Sequence, residues 1–299
     1  TENVPQWYEW KAVAERDFIP GLFLWTGVDY MGECREEHWP VKVTPHGPLD
    51  VAGFPRGSFY MFKSLWREDM PVLAVYSQTE EKSTFRKDGS GKAVEKKKDG
   101  WQDAPREWQG VNPHWNYPEG EETIVEIYSN CESVELFLNG RSLGRQNLLD
   151  QDDRIYKWPV TFAAGELTAR GAWKGEEVSA TLETTGTPAT IHLSADRKTM
   201  SANNTDVAHV VAQLVDDRGR PVKHVDLDVT FEVTGAHRFL GTDCGDTSRL
   251  ENFKGRTVPT AFGRCLMVVQ ATGGAAELSI TATGADGKLT SNAAGVQVE

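Results

Sequence analysis

From Pro113 to the end of the chain, short segments that alternate apolar and polar residues recur at close intervals, separated by glycine, proline, asparagine and aspartate. Such a segment buries one face and wets the other, so it pairs into sheets rather than winding into helices. Thr123–Tyr128 (TIVEIY) and Val134–Leu138 (VELFL) set the pattern, and Asn139-Gly140 directly after them is a strong short hairpin signal, because both residues tolerate positive φ. Lys157–Phe162, Gly165–Trp173 and Glu177–Thr184 complete one all-β unit. Thr185-Gly186-Thr187-Pro188 reads as a linker, and a second series follows: Thr190–Ser194, Ala208–Asp216, Asp226–Thr234, Cys265–Ala271 and Ala276–Thr283, with turns at Asp217-Arg218-Gly219 and Ala285-Asp286-Gly287. Two series of this kind predict two consecutive immunoglobulin-like β-sandwiches.

The N-terminal part follows a different rule. Trp7, Tyr8, Trp10, Ala12, Val13 and Ala14 fall at helical spacing, so residues 1 to about 16 read as a short amphipathic helix ended by Asp17 and Pro20. An apolar run, Phe18 to Trp25, then changes abruptly to Thr26, Gly27, Asp29, Gly32 and Glu33, which reads as a buried strand delivering polar groups into a loop. The loop Cys34–Leu49 carries His38, Trp39 and His46, and Ser58–Trp66 again spaces its aromatics for a helix. Helix, strand, long loop and helix are the parts of an α/β barrel repeat, and loops at the C-terminal ends of barrel strands carry function. Pro71 marks the start of the first all-β unit, within which 78–109 is a lysine-rich stretch without periodicity, read as a solvated, partly mobile hairpin or loop in preference to a polyanion site. The expected domains are therefore 1–70, 71–186 and 187–299.

Composition narrows the function classes. A formal net charge of -12 with no continuous basic groove argues against nucleic acid, and a neutral substrate such as a glycan fits. No apolar run approaches the ~18 residues of a membrane span, and residues 1 to 20 lack a signal-peptide pattern, so the signal of an exported parent would lie upstream. The four cysteines, Cys34, Cys131, Cys244 and Cys265, form neither a CxxC pair nor a cluster with histidines, so they read as isolated thiols, with Cys244–Cys265 as the single plausible disulfide. No metal or other cofactor is expected. Asp243, Gly245 and Asp246 resemble a calcium turn, but two acidic side chains are too few for a cation that gathers six or more oxygens.

The words WTGVDYMGE and DVAGFPRGSFYMFKSLW resemble the end of the catalytic barrel in glycoside hydrolase family 2. NPHWNYPEG, YSNCESVELFLNGRSLG, AAGELTARG and TTGTPATIHLSADR resemble, in the same order, the sandwich domains appended to bacterial β-galactosidases of that family. The resemblance implies a mainly β chain: two sandwiches after a small α/β remnant of a (β/α)8 barrel, the C-terminal part of a retaining O-glycosyl hydrolase in carbohydrate metabolism. It implies a terminal β-galactoside as substrate, with β-glucuronidase or another β-glycosidase as the alternative parent, and export to the periplasm or beyond. Both catalytic glutamates would stand on earlier barrel strands, so none is expected in this chain. Asp29 and Glu33 do not replace them, because a retaining pair needs carboxyls ~5 to 5.5 Å apart from opposed strands. The chain alone is thus expected to be inactive, and the sandwiches to brace the barrel, extend the active-site rim or mediate homo-oligomerisation. A non-catalytic glycan-binding or adhesion module is the competing class, and it requires coplanar exposed aromatics on a sheet face.

Three residues are the substrate-binding candidates. Trp25 matches the family's tryptophan at the site for the non-reducing sugar, and an indole at a strand mouth can cover the apolar face of a sugar ring. Asp29 and Glu33 either bind hydroxyls or order the loop. His38, Trp39 and His46 read as loop packing and surface, and His114 and Trp115 as a sandwich corner or a contact with the barrel.

Overall fold

The computed structural model describes residues 7–32, 39–42, 45–96, 110–250, 252–274, 276–284 and 287–299. Glu33, Cys34, His38, the end of the basic stretch from 97 to 109 and part of the 285–287 turn lie outside the described residues, as do the first six residues of the expected first helix. The chain divides into two units. One comprises Thr1–Asp29, Pro45–Asp50 and Phe54–Thr184, the other Tyr30–Thr44, Val51–Gly53 and Thr185–Glu299.

In the first unit, β4 (Glu122–Ser129) is the central strand of an antiparallel sheet, between β1 (Leu73–Thr79) and β7 (Ile155–Thr161). The facing antiparallel sheet runs in the order β6 (Arg141–Asn147), β5 (Ser133–Leu138), β8 (Glu166–Trp173), β9 (Glu176–Glu183). Alternation decides what lies between them: Val125 and Ile127 of β4, Val134 and Leu136 of β5, Trp158 and Val160 of β7 and Leu167 and Ala169 of β8 share one core with Trp115 and Phe162. Asn139 and Gly140 close the β5–β6 hairpin at φ 51° and 77°, as the turn requires. Trp115 is fully buried and donates its indole N–H to the Ala163 carbonyl at 3.1 Å, so NPHWNY forms a corner of the sandwich.

The β4 strand is buried on its other face too. Helix α2 (Gly57–Trp66) packs there, with Met61 joining Tyr76, Tyr128, Val111 and Ile155 in a second core. Gly57 starts this helix because a Cβ there would stand 2.7 Å from Val111 and 3.0 Å from Tyr128. The fully buried Glu126 accepts the Tyr128 hydroxyl proton at 3.0 Å, which keeps that carboxylate partnered. Helix α1 (Trp7–Ala14) sets Trp10 edge-on to Trp66, with ring centroids 5.8 Å apart. Between β1 and β4 the basic stretch begins as a two-stranded hairpin, β2 (Phe85–Lys87) and β3 (Ala93–Glu95), anchored by the buried Phe85.

The second unit is another two-sheet sandwich. One sheet has the order β10 (Thr190–Ala195), β12 (Val207–Val215), β16 (Arg264–Ala271), β14 (His237–Asp243). The other runs β11 (Thr199–Met200), β19 (Ala294–Val298), β17 (Ala276–Gly284), β13 (Asp228–Thr234), β15 (Thr257–Pro259), with β18 (Leu289–Thr290) on β17. Phe231, Val210, Leu214, Met267, Val269, Leu278, Ile280 and Val296 fill the space between. The turn after β12 is built on Asp216, whose carboxylate accepts the Arg218 and Arg220 N–H groups and pairs with the Arg220 guanidinium at 2.7 Å. Burial pushes this carboxyl up, but the Arg220 side chain and the backbone donors outweigh it and hold it well below the usual carboxylate range.

The expected strand Phe18–Trp25 is not a strand. Leu22, Leu24 and Thr26 are half-buried while Phe23 and Trp25 are exposed, so the alternation of an extended strand is present without a ladder. A barrel strand exists by pairing on both sides, and among the described residues no barrel closes around this segment. Three residues beyond it, Val28 bridges Leu49 in parallel.

Cys131, Cys244 and Cys265 are buried free thiols, so the plausible Cys244–Cys265 disulfide is not formed. Burial pushes the Cys244 thiol up to about 11 and the Cys265 thiol further still. The acidic turn beside them satisfies itself: Asp243 accepts the Cys244 and Gly245 N–H groups, and Asp246 accepts the backbone N–H and hydroxyl of Ser248. Among the described residues no group of three or more metal-ligating side chains gathers.

Candidate functional site

Within the first unit, residues 27–29, 45–50 and 54–56 meet around Asp29. The Asp29 N–H donates to the Leu49 carbonyl at 3.0 Å and the Leu49 N–H to the Gly27 carbonyl at 3.3 Å, giving a short parallel ladder. The Asp29 carboxylate, wholly removed from solvent, accepts the Gly47 N–H at 2.6 Å and pairs with the Arg56 guanidinium at 2.5 Å. Arg56 also donates from its side chain to the Gly47 carbonyl at 3.0 Å and from its backbone to the Pro48 carbonyl at 2.9 Å. Gly47 is therefore held through the peptide groups on both sides of its Cα. Only glycine fits, because a Cβ would come within 2.7 Å of the Leu49 carbonyl and 2.8 Å of the Asp29 nitrogen. A buried carboxylate with two such partners is a brace.

Trp25 stands just before this brace with 53% of its surface exposed, and a cis peptide bond joins it to Thr26. Phe18 and Phe23 are more exposed still, at 81% and 85%, and Trp66 is 42% exposed. His46 lies within the brace, between Pro45 and Gly47, and is 5% exposed. Of the three candidates, the structure thus describes Trp25 as an open indole and Asp29 as an internal anchor, two positions either side of Gly27, and Glu33 lies outside the described residues. Arg56 and Gly47 are the partners that sequence reasoning missed. They come from 27 and 18 positions down the chain, and no local pattern links them to Asp29. Trp39 is 75% exposed and belongs to the second unit, where Lys42 ties residues 39–42 down by donating its N–H to the Thr247 carbonyl at 3.0 Å and its ammonium to the Arg249 carbonyl.

The arrangement defines a β-sandwich protein carrying an α/β element with an exposed aromatic mouth. Residues 191–292 match the model of glycoside hydrolase family 2 C-terminal domain 5, and 120–179 match a domain of unknown function, DUF4982. A β-galactosidase of Bacteroides ovatus is 30% identical over 275 residues, covering 91% of this chain and 28% of its own length. A putative β-glucuronidase of Formosa agariphila is 25% identical over 248 residues, which are 79% of this chain and 20% of that protein. In structure, a glycosyl hydrolase family 2 member from Bacteroides cellulosilyticus superposes with a TM-score of 0.84 at 30% identity, over 99% of this chain and 38% of its own. A β-glycosidase from Bacteroides vulgatus shares the fold with a TM-score of 0.76 at 24% identity, over 98% of this chain and 32% of its own. The chain is part of a bacterial glycoside hydrolase family 2 protein and corresponds to its C-terminal domains. It spans between about a fifth and two fifths of the length of these relatives.

Proposed function

We propose that the protein containing this chain is a retaining O-glycosidase that hydrolyses terminal β-galactosides. This chain contributes the last part of the catalytic barrel and two accessory sandwiches, and both catalytic glutamates lie outside it. The observation that carries the reading is the half-exposed Trp25 indole beside the Asp29–Gly47–Arg56 brace. A flat apolar ring at the end of this extended segment stacks on the C–H face of a sugar, and the Asp29–Gly47–Arg56 brace holds the neighbouring loop in place in advance. Asp29 acts on the substrate by ordering this loop, and Glu33 by bonding a hydroxyl. The similarity to a protein named as a β-galactosidase supports the choice of sugar.

The second reading, a β-glucuronidase, draws on three Formosa agariphila relatives with that name, at 24 to 26% identity. A glucuronide brings a carboxylate that asks for a cation. Arg56 is committed to Asp29 and Gly47, which favours the neutral sugar. The sandwiches themselves offer no aromatic platform among the described residues: Trp115 and Trp158 are in the core, and the large exposed apolar residues there are Leu149, Leu250 and Phe262. That supports a bracing role over a glycan-binding module. Export to the periplasm or cell surface belongs to the same proposal.

The test compares the full-length protein with residues 1–299 alone on chromogenic β-galactoside and β-glucuronide. Full-length turnover of the galactoside with none from the shorter chain is the expected result. Turnover by residues 1–299 alone would place catalytic carboxylates within this chain and overturn the assignment.

A further inference from the structure

Cys244 and Cys265 continue the β14–β16 ladder one step past its last pair. The antiparallel register sets Thr242 against Met267 and Asp243 against Leu266, and the next step sets Cys244 against Cys265. Both side chains are buried in the core of the second sandwich, so they stand on the same face of the sheet. The hydrogen bonding identifies the kind of pair they make. Opposed residues of an antiparallel ladder alternate between pairs that exchange N–H···O bonds and pairs that exchange none, and in the second kind the Cα atoms are only ~4.5 Å apart. The Thr242 N–H leaves the ladder for the Phe253 carbonyl at 2.8 Å, so Thr242–Met267 is a pair without bonds, and Cys244–Cys265, two residues on, is of the same kind. The other neighbour of β16 agrees. The Leu214 N–H of β12 donates to the Gly263 carbonyl at 2.8 Å, and two residues along Ala212 faces Cys265 in the same sense, which turns the Cys265 backbone groups toward β12 and away from Cys244. The Cys244 N–H is itself turned to the Asp243 carboxylate at 2.7 Å. A disulfide bridges Cα atoms about 4.4 to 6.8 Å apart, which an opposed pair without backbone bonds satisfies.

We propose that Cys244 and Cys265 are a site of oxidative cross-linking: the pair, reduced in the structure, closes into a cross-strand disulfide with oxidised glutathione as the oxidant, and the closed ring stiffens the loop that holds residues 39–42. One protein thiolate attacks the glutathione disulfide and releases one glutathione thiol; the other then attacks the mixed disulfide and releases the second. Two hydrogens and their electrons pass from the protein to the oxidant, which ends as two thiols. The span enclosed by the two cysteines includes Thr247 and Arg249, whose carbonyls accept the Lys42 N–H and the Lys42 ammonium. Lys42 and Arg249 both lie over the Phe253 ring, which belongs to the same span. A cross-link at its base therefore acts on the anchor of Lys42, and it does so whichever sugar the parent protein cleaves. Access sets the condition for the reaction. Burial pushes the Cys244 thiol up to about 11, and the Cys265 thiol is raised further, by burial first and by the nearby Cys244 second. Neither is a thiolate in contact with water while β14 lies on β16, so the exchange proceeds through opening of this strand end.

The experiment holds the reduced full-length protein in oxidised glutathione, at a urea concentration just below its unfolding transition so that the strand end opens and recloses. The urea is then removed and the protein is digested without reductant for mass spectrometry. The expected product is a linked pair of peptides carrying Cys244 and Cys265, lighter by two hydrogens than the two reduced peptides together and returned to them by dithiothreitol. In the linked protein the Lys42 amide exchanges its hydrogen more slowly than in the reduced protein, on the order of tenfold, while the Asp29 amide is unchanged. Two cysteines that stay free, or that each carry a single glutathione, are not opposed, and the inference is overturned. Linkage without slowing at Lys42 overturns the part assigned to the loop. Cys244→Ala under the same treatment shows neither linkage nor slowing, and slowing at Lys42 in that variant would trace the effect to another site and overturn the inference equally. Should Cys244→Ala fail to fold, the reduced and oxidised forms of the wild type decide on their own.

Discussion

Trp115 and Trp25 are the same side chain under opposite rules. Trp115 has no exposed surface, has its indole N–H bonded and sits among residues drawn from both sheets of the first sandwich. Trp25 leaves half of its surface open at the end of an extended segment that joins no ladder. The contrast holds region by region. Seven of the ten large exposed apolar residues among those described, from Phe18 to Trp66, precede residue 67, although the sandwiches are far longer. Apolar surface is excluded from water wherever a chain supplies a second layer. The sandwiches supply their own second layer, and among the described residues before residue 67 the buried apolar cluster is where α2 meets the β1–β4–β7 sheet.

This comparison can be broken most directly by mutating the two tryptophans. Trp115→Ala should cost ~3–5 kcal/mol of stability, while Trp25→Ala should stay within ~0.5 kcal/mol. Urea unfolding of residues 1–299 measures both, and similar losses for the two variants would mean that Trp25 belongs to a core. Next in size is Asp216→Ala, at ~3 kcal/mol, because it strands the Arg220 charge and frees a turn inside the self-sufficient second sandwich. The pH dependence follows from the lowered folded-state pKa. The Asp216 contribution is fully present above the usual carboxyl value of 3.8 and is lost as pH falls below it, so wild type should weaken there more steeply than Asp216→Asn. Equal acid sensitivity in thermal melts would count against this role. Gly47→Ala tests the brace of the N-terminal region. The forced contacts with Leu49 and Asp29 should cost ~1–3 kcal/mol locally, seen as faster hydrogen exchange at the Asp29 and Leu49 amides with sandwich amides unchanged. The smallest effect concerns the thiols. Cys131, Cys244 and Cys265 should resist an aqueous thiol reagent in the native chain and react once it is unfolded.

The same division explains what could be read from sequence. The expected segments around β4, β5, β7, β8 and β9 match the observed strands to within two residues, because each buries alternate side chains in a core that the chain itself completes. Strands whose alternation is interrupted are harder to read. Although β6 starts where the Asn139-Gly140 turn puts it, its residues RSLGRQN carry no alternation, and Gly144 sits at φ 104°. The register of β14 shifts between Phe239 and Gly241, which interrupts the period-two signal. Phe18–Trp25 failed for the opposite reason: its pattern is that of a strand, but a pattern cannot supply neighbours. At the candidate site, Trp25 and Asp29 were legible from residue type and position. The bonds that make Asp29 an anchor were not, since Gly47 and Arg56 become its partners only through the fold.

Because β4 is covered on one face by the sandwich core and on the other by α2, the genetic and the physical limits of the first sandwich are different things. A gene fragment opened at Pro71 would encode every strand and still deliver a sheet with Tyr76, Tyr128 and Ile155 facing water, a sticky surface that invites aggregation. Anyone wishing to transplant this sandwich, or evolution in shuffling it, would have to carry the helix along as part of the cargo.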